Sequence, residues 1–306
     1  MEQLDSIRNA YFIKLGAGGE WERDCLETGV IRLDYRRNPQ ELAEAGLWDE
    51  VKAQMHGVWS SDKGAMTRHV NQVRIFFEAG PEDVFVTFSG GAMHWCRPTG
   101  AVERDAAGLH TRGTVGGWSD RDLKGEPLWE NRLSGALTMV QMFQGTVCEI
   151  KEQSYLINKI QGEDRPEVIR ARQAERELTV SVEALLPLLT WRDFELLVDL
   201  LFSTSGWRRI GEVGGPQKTL DIDLRLPSTN ERAFVQVKSR CEPSDLRDYV
   251  ERFRGSKIYD RMFFVWHSGS SGTAVEDPRL TLIGPDRLAR MVVDGGLSRW
   301  LCDRVG

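Results

Sequence analysis

The sequence predicts a two-domain α/β protein in which a helix joins an N-terminal α+β barrel to a C-terminal α/β domain with a central mixed sheet. The chain has 306 residues, a length typical of about two domains. Its first half alternates apolar strand patterns with glycine-containing turns, and its last third runs helix, two paired strands, helix, strand and helix. A charged, helix-favouring segment lies between them at 163–186. We place the domains at 1–155 and 185–306, with a helical linker at 156–184.

Composition limits the function classes. The chain is 41% hydrophobic and 28% charged, as in ordinary globular proteins. It contains no apolar run near the roughly 18 residues of a membrane span and no signal-peptide pattern at its start, so we expect a cytoplasmic protein without a membrane partner. Five scattered cysteines without a CxxC pair indicate neither a disulfide framework nor a zinc ribbon. A net charge of −6 argues against indiscriminate coating of nucleic acid and leaves room for a local basic groove.

The N-terminal half is predicted to be strand-rich. Strand patterns occur at 10–15, 29–36, 81–91 and 92–103, and the last two flank a glycine pair that indicates a hairpin. Helical pieces are expected between 40 and 80, and a loop rich in Gly, Thr and Asp between 104 and 127.

The C-terminal half begins with a helix. Thr190 and Asp193 have the spacing of a capping pair, and apolar residues then recur at helical intervals up to Gly206. The remaining predicted elements are strands at 219–226, 233–240 and 261–268, a turn at 227–230, a charged helix at about 243–256 and two closing helices.

Polar side chains share one face of the paired strands. Period-two geometry puts Gln236 and Lys238 on one face of their strand and aligns Asp221 with Asp223 on its neighbour. A hairpin register that brings Asp223 beside Gln236 would gather two carboxylates, an amide oxygen and a lysine, and Glu195 could add another carboxylate. Hard divalent cations such as Mg²⁺ prefer oxygen ligands, so this set indicates a metal-dependent phosphodiesterase site. A sheet face of solvated salt bridges explains the alternation alone equally well.

The order of these motifs resembles the Mrr-type restriction endonucleases. These belong to the PD-(D/E)xK nuclease superfamily, in the branch where QxK replaces ExK. The resemblance covers about 185–270 and rests on "FELLVDLLFSTSGW" followed by "LDIDLRLPSTNERAFVQVKSR". It implies a restriction-endonuclease-like fold with Mg²⁺ or Mn²⁺, in which Asp223 is the metal ligand, Gln236 the second site residue and Lys238 the catalytic lysine. Asp221 stands where the family often has glycine, and its role is open.

The neutral glutamine removes one negative ligand, which Asp221 or Glu195 could supply. Basic residues near the site are candidates for phosphate contacts, although a solvated helix face explains them equally well. They are Arg240, Arg252, Arg254 and Lys257.

The N-terminal half resembles the PUA-like group of small barrels, which includes EVE, YTH and SRA domains. The resemblance covers about 10–120 and rests on "YFIKLGAGGEWERDCLETGVIRLDY" and "GPEDVFVTFSGGAMHWCRPTGAVE". It implies recognition of a flipped modified base in an aromatic pocket. Stacking is worth roughly 1–3 kcal/mol per base, which offsets the cost of unstacking. The candidates are Trp21, Tyr35, Trp59, Trp95, Trp118 and Asp120, although a tryptophan is more often a core residue. His69 and His110 are expected to be solvated.

These patterns together indicate a modification-dependent, type IV-like DNA endonuclease that acts as a dimer in defence against foreign DNA. Two alternatives stay open from the sequence. One is a non-catalytic nucleic-acid-binding protein with a degenerate nuclease fold. The other is a defence nuclease triggered by RNA or by a nucleotide signal.

Overall fold

The computed structural model describes residues 7–210, 222–272 and 277–306. The chain divides into two compact units at Arg165 and Pro166. The predicted linker at 156–184 is therefore divided between the two units. Its start lies in a helix of the N-terminal unit, and its part from Pro166 onwards belongs to a helix of the C-terminal unit that packs into that core through Val182. No helix among the described residues is long and apolar enough to cross a membrane.

The N-terminal unit combines short strands with helices. Its strands are β1 (Ala10–Ile13), β2 (Val30–Leu33), β3 (Val84–Ser89), β4 (Ala92–Cys96), β5 (Glu103–Arg104), β6 (His110–Gly113) and β7 (Val147–Glu149). Its α-helices are α1 (Glu22–Thr28), α2 (Gln40–Glu44), α3 (Trp48–Met55), α4 (Lys63–Glu78), α5 (Gly135–Thr138) and α6 (Gln153–Gln161). Short 3-10 turns occur at Ala17–Gly19, Glu130–Arg132 and Met139–Met142.

The strands of this unit form two sheets that are joined edge to edge. One has the order β4-β3-β1-β7 and the other the order β2-β6-β5. Backbone bridges from Trp95 to Ser119 and from Pro98 to Thr114 connect the end of β4 to the segment after β6. The predicted β3–β4 hairpin is confirmed, and both residues of its turn, Gly90 and Gly91, have positive φ, as a type I′ turn requires.

The central strands of the larger sheet are covered on both faces. One face packs Ile13 and Phe85 against Phe76 of α4, and the other packs Phe12 and Val86 among a second apolar cluster with α6. This double burial explains why β3 reads as a continuous apolar run rather than as an alternating one.

A buried aspartate connects the starts of β1 and β3. Asp83 accepts hydrogen bonds from Arg8 at 2.7 Å, from Asn9 at 2.9 Å and from the backbone N–H of Gly80 at 2.7 Å. Burial alone would raise the pKa of Asp83, but these donors outweigh it and hold that pKa below its ordinary value. The carboxylate therefore stays charged and fixes the parallel pair.

The predicted loop at 104–127 was wrong in part, because it contains β6. The sequence His-Thr-Arg-Gly carries no apolar alternation, so nothing local indicates a strand. Tertiary contacts bury its polar side chains: Arg112 donates to the carbonyl oxygens of Phe76 at 2.8 Å and Ala79 at 2.6 Å, at the end of α4. The prediction that His110 is solvated was also wrong, since His110 is fully buried.

The C-terminal unit is a five-stranded sheet with helices on both faces. Its helices are α7 (Pro166–Leu185), α8 (Trp191–Thr204), α9 (Pro243–Gly255), α10 (Pro285–Asp294) and α11 (Ser298–Val305). Its strands are β8 (Arg208–Arg209), β9 (Ile222–Arg225), β10 (Arg232–Cys241), β11 (Arg261–Gly269) and β12 (Leu280–Ile283). The predicted cap of α8 is confirmed, with the Asp193 N–H donating to Thr190 Oγ1 at 3.2 Å.

The sheet order is β12-β11-β10-β9-β8, and the pairing is mixed as predicted. Strand β10 is antiparallel to β9 and parallel to β11. Val235 and Val237 of β10 pack in the core with α8, whereas Phe234 packs in a second core with α9. Gln236 and Lys238 alternate with the two valines and therefore lie on the α9 face.

His110 makes the N-terminal unit sensitive to acid. Burial, and secondarily the charge of Arg104, lowers the pKa of His110 to about 4, and its Nε2 lies 3.2 Å from the Tyr35 carbonyl oxygen. The unfolded chain takes up this proton near pH 6.5, so stability falls as the pH drops from about 6.5 towards 4. Replacing His110 with Phe should lower stability at pH 7.5 and reduce the loss between pH 7.5 and 5 by about 1–2 kcal/mol.

Urea unfolding of the full chain, followed by tryptophan fluorescence at both pH values, measures this difference. His56→Gln is the matched control, since His56 is exposed. An unchanged pH response in His110→Phe would remove His110 as its source.

Candidate active site

The paired strands β9 and β10 carry the predicted catalytic residues on one face. Asp223 stands opposite Phe234, two residues before Gln236. The predicted register beside Gln236 was therefore wrong. The turn closes tightly, with the Leu226 N–H donating to the Glu231 carbonyl at 2.9 Å, and this fixes Arg225 opposite Arg232. Asp223 still shares the face of Phe234, Gln236 and Lys238, because partners across an antiparallel pair point the same way.

The carboxylate of Asp223 is held on one side only. Its Oδ2 accepts from Arg232 Nη2 at 2.9 Å, whereas its Oδ1 is buried and accepts no hydrogen bond from any described residue. Tyr259 packs nearby: burial, then the charge of Asp223 and a side-chain hydrogen bond with that carboxylate, raise the pKa of its phenol. A buried carboxylate oxygen without a donor is costly, so this atom is suited to receive a cation.

Lys238 lies against helix α9. Its Nζ is 3.8 Å from Asp245 Oδ1 and 5.5 Å from the centre of the Tyr249 ring. The Tyr249 ring packs on Phe264, which stands opposite Gln236 in the parallel partner strand, at a centroid distance of 5.9 Å. Gln236 itself is only 4% exposed. The polar face therefore has a buried amide in its middle and a partly exposed ammonium group near the start of α9.

Of the other two predicted carboxylates, the structure describes only Glu195. Glu195 lies on α8, whose apolar side packs against Val235 and Val237, on the opposite face of the sheet from Gln236. Asp221 lies outside the described residues. Within those residues, no three His, Cys, Asp or Glu side chains come together as a metal site.

The four predicted phosphate-binding cations have different surroundings. Arg240 is exposed at the end of β10, on the face of Lys238, and Lys257 is exposed just after α9. Arg252 lies over the Tyr249 ring at 5.4 Å, so it approaches Lys238 through a shared neighbour. Arg254 instead forms an ion pair with Asp277 at 3.7 Å. The structure thus brings Arg252 to the polar face and gives Arg254 a structural partner.

Two of the predicted base-binding residues line one cavity of about 480 Å³ in the N-terminal unit. Tyr35 and Trp59 meet edge to face at 4.9 Å, and the Tyr35 hydroxyl is 2.8 Å from His69 Nδ1. Arg36, Arg37 and Asp34 also line the cavity, and Arg36 forms an ion pair with Asp34 at 3.1 Å. His69, which we expected to be solvated, is half-buried and forms part of this aromatic cluster.

The pocket presents defined hydrogen-bonding groups. Burial raises the pKa of Tyr35 to about 12, so its hydroxyl stays protonated and lies 2.8 Å from His69 Nδ1. On the other side of the ring system, His110 holds the backbone carbonyl of Tyr35. Tyr35 therefore contacts His69 through its hydroxyl and His110 through its backbone carbonyl.

The remaining predicted base-binding residues lie elsewhere. Trp95 and Trp118 direct their indole N–H groups to backbone carbonyls, Trp95 to Arg121 at 2.8 Å and Trp118 to Val30 at 3.1 Å. Trp21 packs beside the core of the same unit, and Asp120 is half-exposed. These contacts are structural, and the four residues do not line the cavity of Tyr35.

Sequence reasoning missed residues that surround the polar face. Asp245, Tyr249 and Arg252 follow one another at i, i+4 and i+7 along α9, so they form one stripe on its surface. That spacing was readable in the predicted helix at 243–256. Arg232, whose partner is Asp223, gave no comparable signal.

A family model matches most of the C-terminal unit, which contains the polar face. Residues 187–292 match the family model described as restriction endonuclease, of the Mrr catalytic type. Among solved structures, one match is "MspJI Restriction Endonuclease in Complex with 27-mer Oligonucleotide", at 15% identity over 97% of this chain and 79% of that chain. Its TM-score of 0.27 is too low to indicate a shared arrangement. A comparison with curated proteins finds no match. Residues 187–292 are therefore a restriction endonuclease domain of the Mrr type.

Proposed function

We propose that this protein is a divalent-metal-dependent endonuclease that cleaves DNA carrying a modified base and thereby restricts foreign DNA. The observation that carries the proposal is the shared face of Asp223, Gln236 and Lys238 on the central strands of a restriction endonuclease domain. Two-strand cleavage by a domain with one site usually involves two copies, so the proposal includes a homodimer.

The described residues fit a divalent cation. Asp223 offers a buried carboxylate oxygen that no described residue donates to, and Gln236 adds an amide on the same face. Mg²⁺ typically takes one or two protein carboxylates and completes its shell with water and substrate phosphate. Asp223 and Gln236 would hold the ion, with Mg²⁺ or Mn²⁺ as the candidates. When bound, the ion would stabilise charge on the phosphate and acidify a water molecule.

The chain's own groups have separate roles in this proposal. Lys238 is partly exposed at the edge of the polar face, where a substrate phosphate can reach it. There it brings a positive charge to the phosphate oxygens and orients the attacking water. Arg232 holds Asp223 in one orientation through its 2.9 Å contact. Arg240 and Arg252 attract the neighbouring phosphates, which a chain of net charge −6 does not do as a whole.

The aromatic pocket of the N-terminal unit supports a base-reading role. Tyr35, Trp59 and His69 provide ring surfaces, the Tyr35 hydroxyl and the His69 imidazole provide hydrogen-bonding groups, and Arg37 provides a cation for the backbone beside a flipped nucleotide. An extruded base must be stacked and hydrogen-bonded to offset its unstacking. This pocket combines both kinds of contact in one cavity.

Asp223 is predicted to be required for metal binding and for cleavage. Asp223→Asn removes the negative charge but keeps the shape, so Mn²⁺ affinity should fall about tenfold or more and cleavage should be lost. Electron paramagnetic resonance of free Mn²⁺ during titration measures binding without reference to activity. Asp248→Asn, an exposed position on α9, is the matched control. Wild-type Mn²⁺ binding and cleavage in Asp223→Asn would exclude it from the mechanism.

Gln236→Glu is predicted to make the fold depend on metal. A buried carboxylate at this 4% exposed position is costly alone, and a bound cation compensates for it. The variant should unfold at a lower temperature than wild type in EDTA, gain more from Mn²⁺, and retain cleavage. Gln236→Leu should show no added response to Mn²⁺ and no cleavage. If Mn²⁺ stabilises all three proteins equally, Gln236 does not contact the ion.

Trp59 is predicted to carry base discrimination. In Ca²⁺, which replaces Mg²⁺ without supporting turnover in this design, full-length Trp59→Leu should lose about tenfold in affinity for a modified duplex, or roughly 1.4 kcal/mol. Its affinity for the plain duplex should change less than about twofold. Trp129→Leu is the control, since Trp129 is exposed and lies outside this cavity. Equal losses on both duplexes would reject the base-reading role of the pocket.

A further inference from the structure

Helix α9 presents a tyrosine to two cations at once. The Lys238 ammonium is 5.5 Å from the centre of the Tyr249 ring, and the Arg252 guanidinium carbon is 5.4 Å from the same centre. Both distances lie within the range in which the negative ring face attracts a cation. Tyr249 therefore contacts the proposed catalytic lysine and a proposed phosphate-binding arginine together.

The ring has a fixed position of its own. It is half-buried and packs on Phe264, which stands opposite Gln236 in the adjoining strand. Helix α9 is anchored below it by a capping box, in which the Glu242 N–H donates to Asp245 Oδ2 at 3.1 Å. Asp245 is also 3.8 Å from Lys238, one helical turn before Tyr249. The lysine thus meets a rigid surface made of one carboxylate and one ring.

Charge balance explains why the surface contains a ring. Lys238 and Arg252 carry two positive charges, and Asp245 supplies one negative charge. A second carboxylate in place of Tyr249 would neutralise the pair and compete with phosphate. The quadrupole of an aromatic ring attracts both cations and leaves their net charge available to an anion.

We propose that Tyr249 is a positioning residue that holds Lys238 and Arg252 as a cation pair for one phosphate of the substrate. The inference rests on the proposed nuclease function, because it assigns Lys238 to the phosphate. The tyrosine acts through its ring, so Phe should replace it and an aliphatic side chain of similar length should not. Holding a long, flexible lysine in advance removes rotamer entropy that the enzyme would otherwise lose during the reaction.

The N-terminal unit provides a matched control for this arrangement. Lys159 lies 5.6 Å and Arg165 6.0 Å from the centre of the Tyr155 ring. This is the same trio of residue types at similar distances, in the unit that does not contain the polar face. A variant of Tyr155 therefore disturbs an equivalent contact without touching the nuclease residues.

The test uses full-length protein with ¹³C-dimethylated lysines, and Lys238→Arg assigns the Lys238 signal. In wild type and Tyr249→Phe, ring current should shift this signal upfield, as it should shift the signal of Lys159. In Tyr249→Met the Lys238 shift should disappear. Single-turnover cleavage by Tyr249→Met should slow about tenfold, while Tyr249→Phe stays within about twofold of wild type. Tyr155→Met should lose only the Lys159 shift.

The outcomes separate the inference from the proposed function. The positioning role is overturned if Tyr249→Met folds and either retains the Lys238 shift or cleaves at the wild-type rate. If Tyr249→Met does not fold, the Lys238 shift in wild type and Tyr249→Phe decides, and its absence overturns the inference. A shifted Lys238 signal in a wild-type protein that cleaves no DNA supports the positioning contact and overturns the nuclease function.

Discussion

The pairing of β10 with β9 on one side and with β11 on the other sets the positions of Asp223, Gln236 and Lys238 in the candidate active site. The turn after Leu226 fixes Arg225 opposite Arg232, and from this register Asp223 falls opposite Phe234. The polar side chains then point to the α9 face because the valines between them fill the core with α8. A slip of one residue would exchange the two sets and bury Lys238 in an apolar core. The hydrophobic pattern and the chemistry therefore depend on the same pairing.

The polar face has a carboxylate that can bind a cation at one end and a cationic side chain at the other. Asp223 has one oxygen paired with Arg232 and one buried oxygen that accepts no hydrogen bond from a described residue. Lys238 lies at the other end of the face, between Asp245 and Tyr249. In the proposed function, a divalent ion near the carboxylate and a phosphate near the lysine would satisfy both ends together. This division explains how a site with a neutral glutamine in the middle fits an anionic substrate.

Alternation in the sequence was sufficient to predict the shared face of Asp223, Gln236 and Lys238, since side chains in a strand repeat every two residues. It was insufficient for the register, which depends on how tightly the turn closes. The position of Glu195 also escaped prediction, because helical spacing shows which side of α8 is apolar but not which sheet face that side covers. Asp245 and Tyr249 became visible only once α9 was placed beside β10.

The N-terminal unit also contains contacts that local sequence patterns do not predict. Tryptophans near predicted loops were reasonable candidates for stacking, yet Trp95 and Trp118 use their indole N–H groups to hold distant backbone carbonyls. The pocket instead joins Tyr35 and Trp59 to His69, which is 34 positions from Tyr35 along the chain. Contacts of that separation follow from the packing of α4 and are not readable from local patterns.

In the proposed function, the nuclease domain acts on DNA selected by a modified base. Digestion of matched plasmids that differ only in cytosine or adenine modification, with Mg²⁺ and full-length protein, is the direct test. We expect double-strand cleavage of at least one modified plasmid under conditions that leave the unmodified plasmid intact. Equal cleavage of every plasmid would contradict the selection by a modified base, and cleavage of none would contradict the claim as a whole.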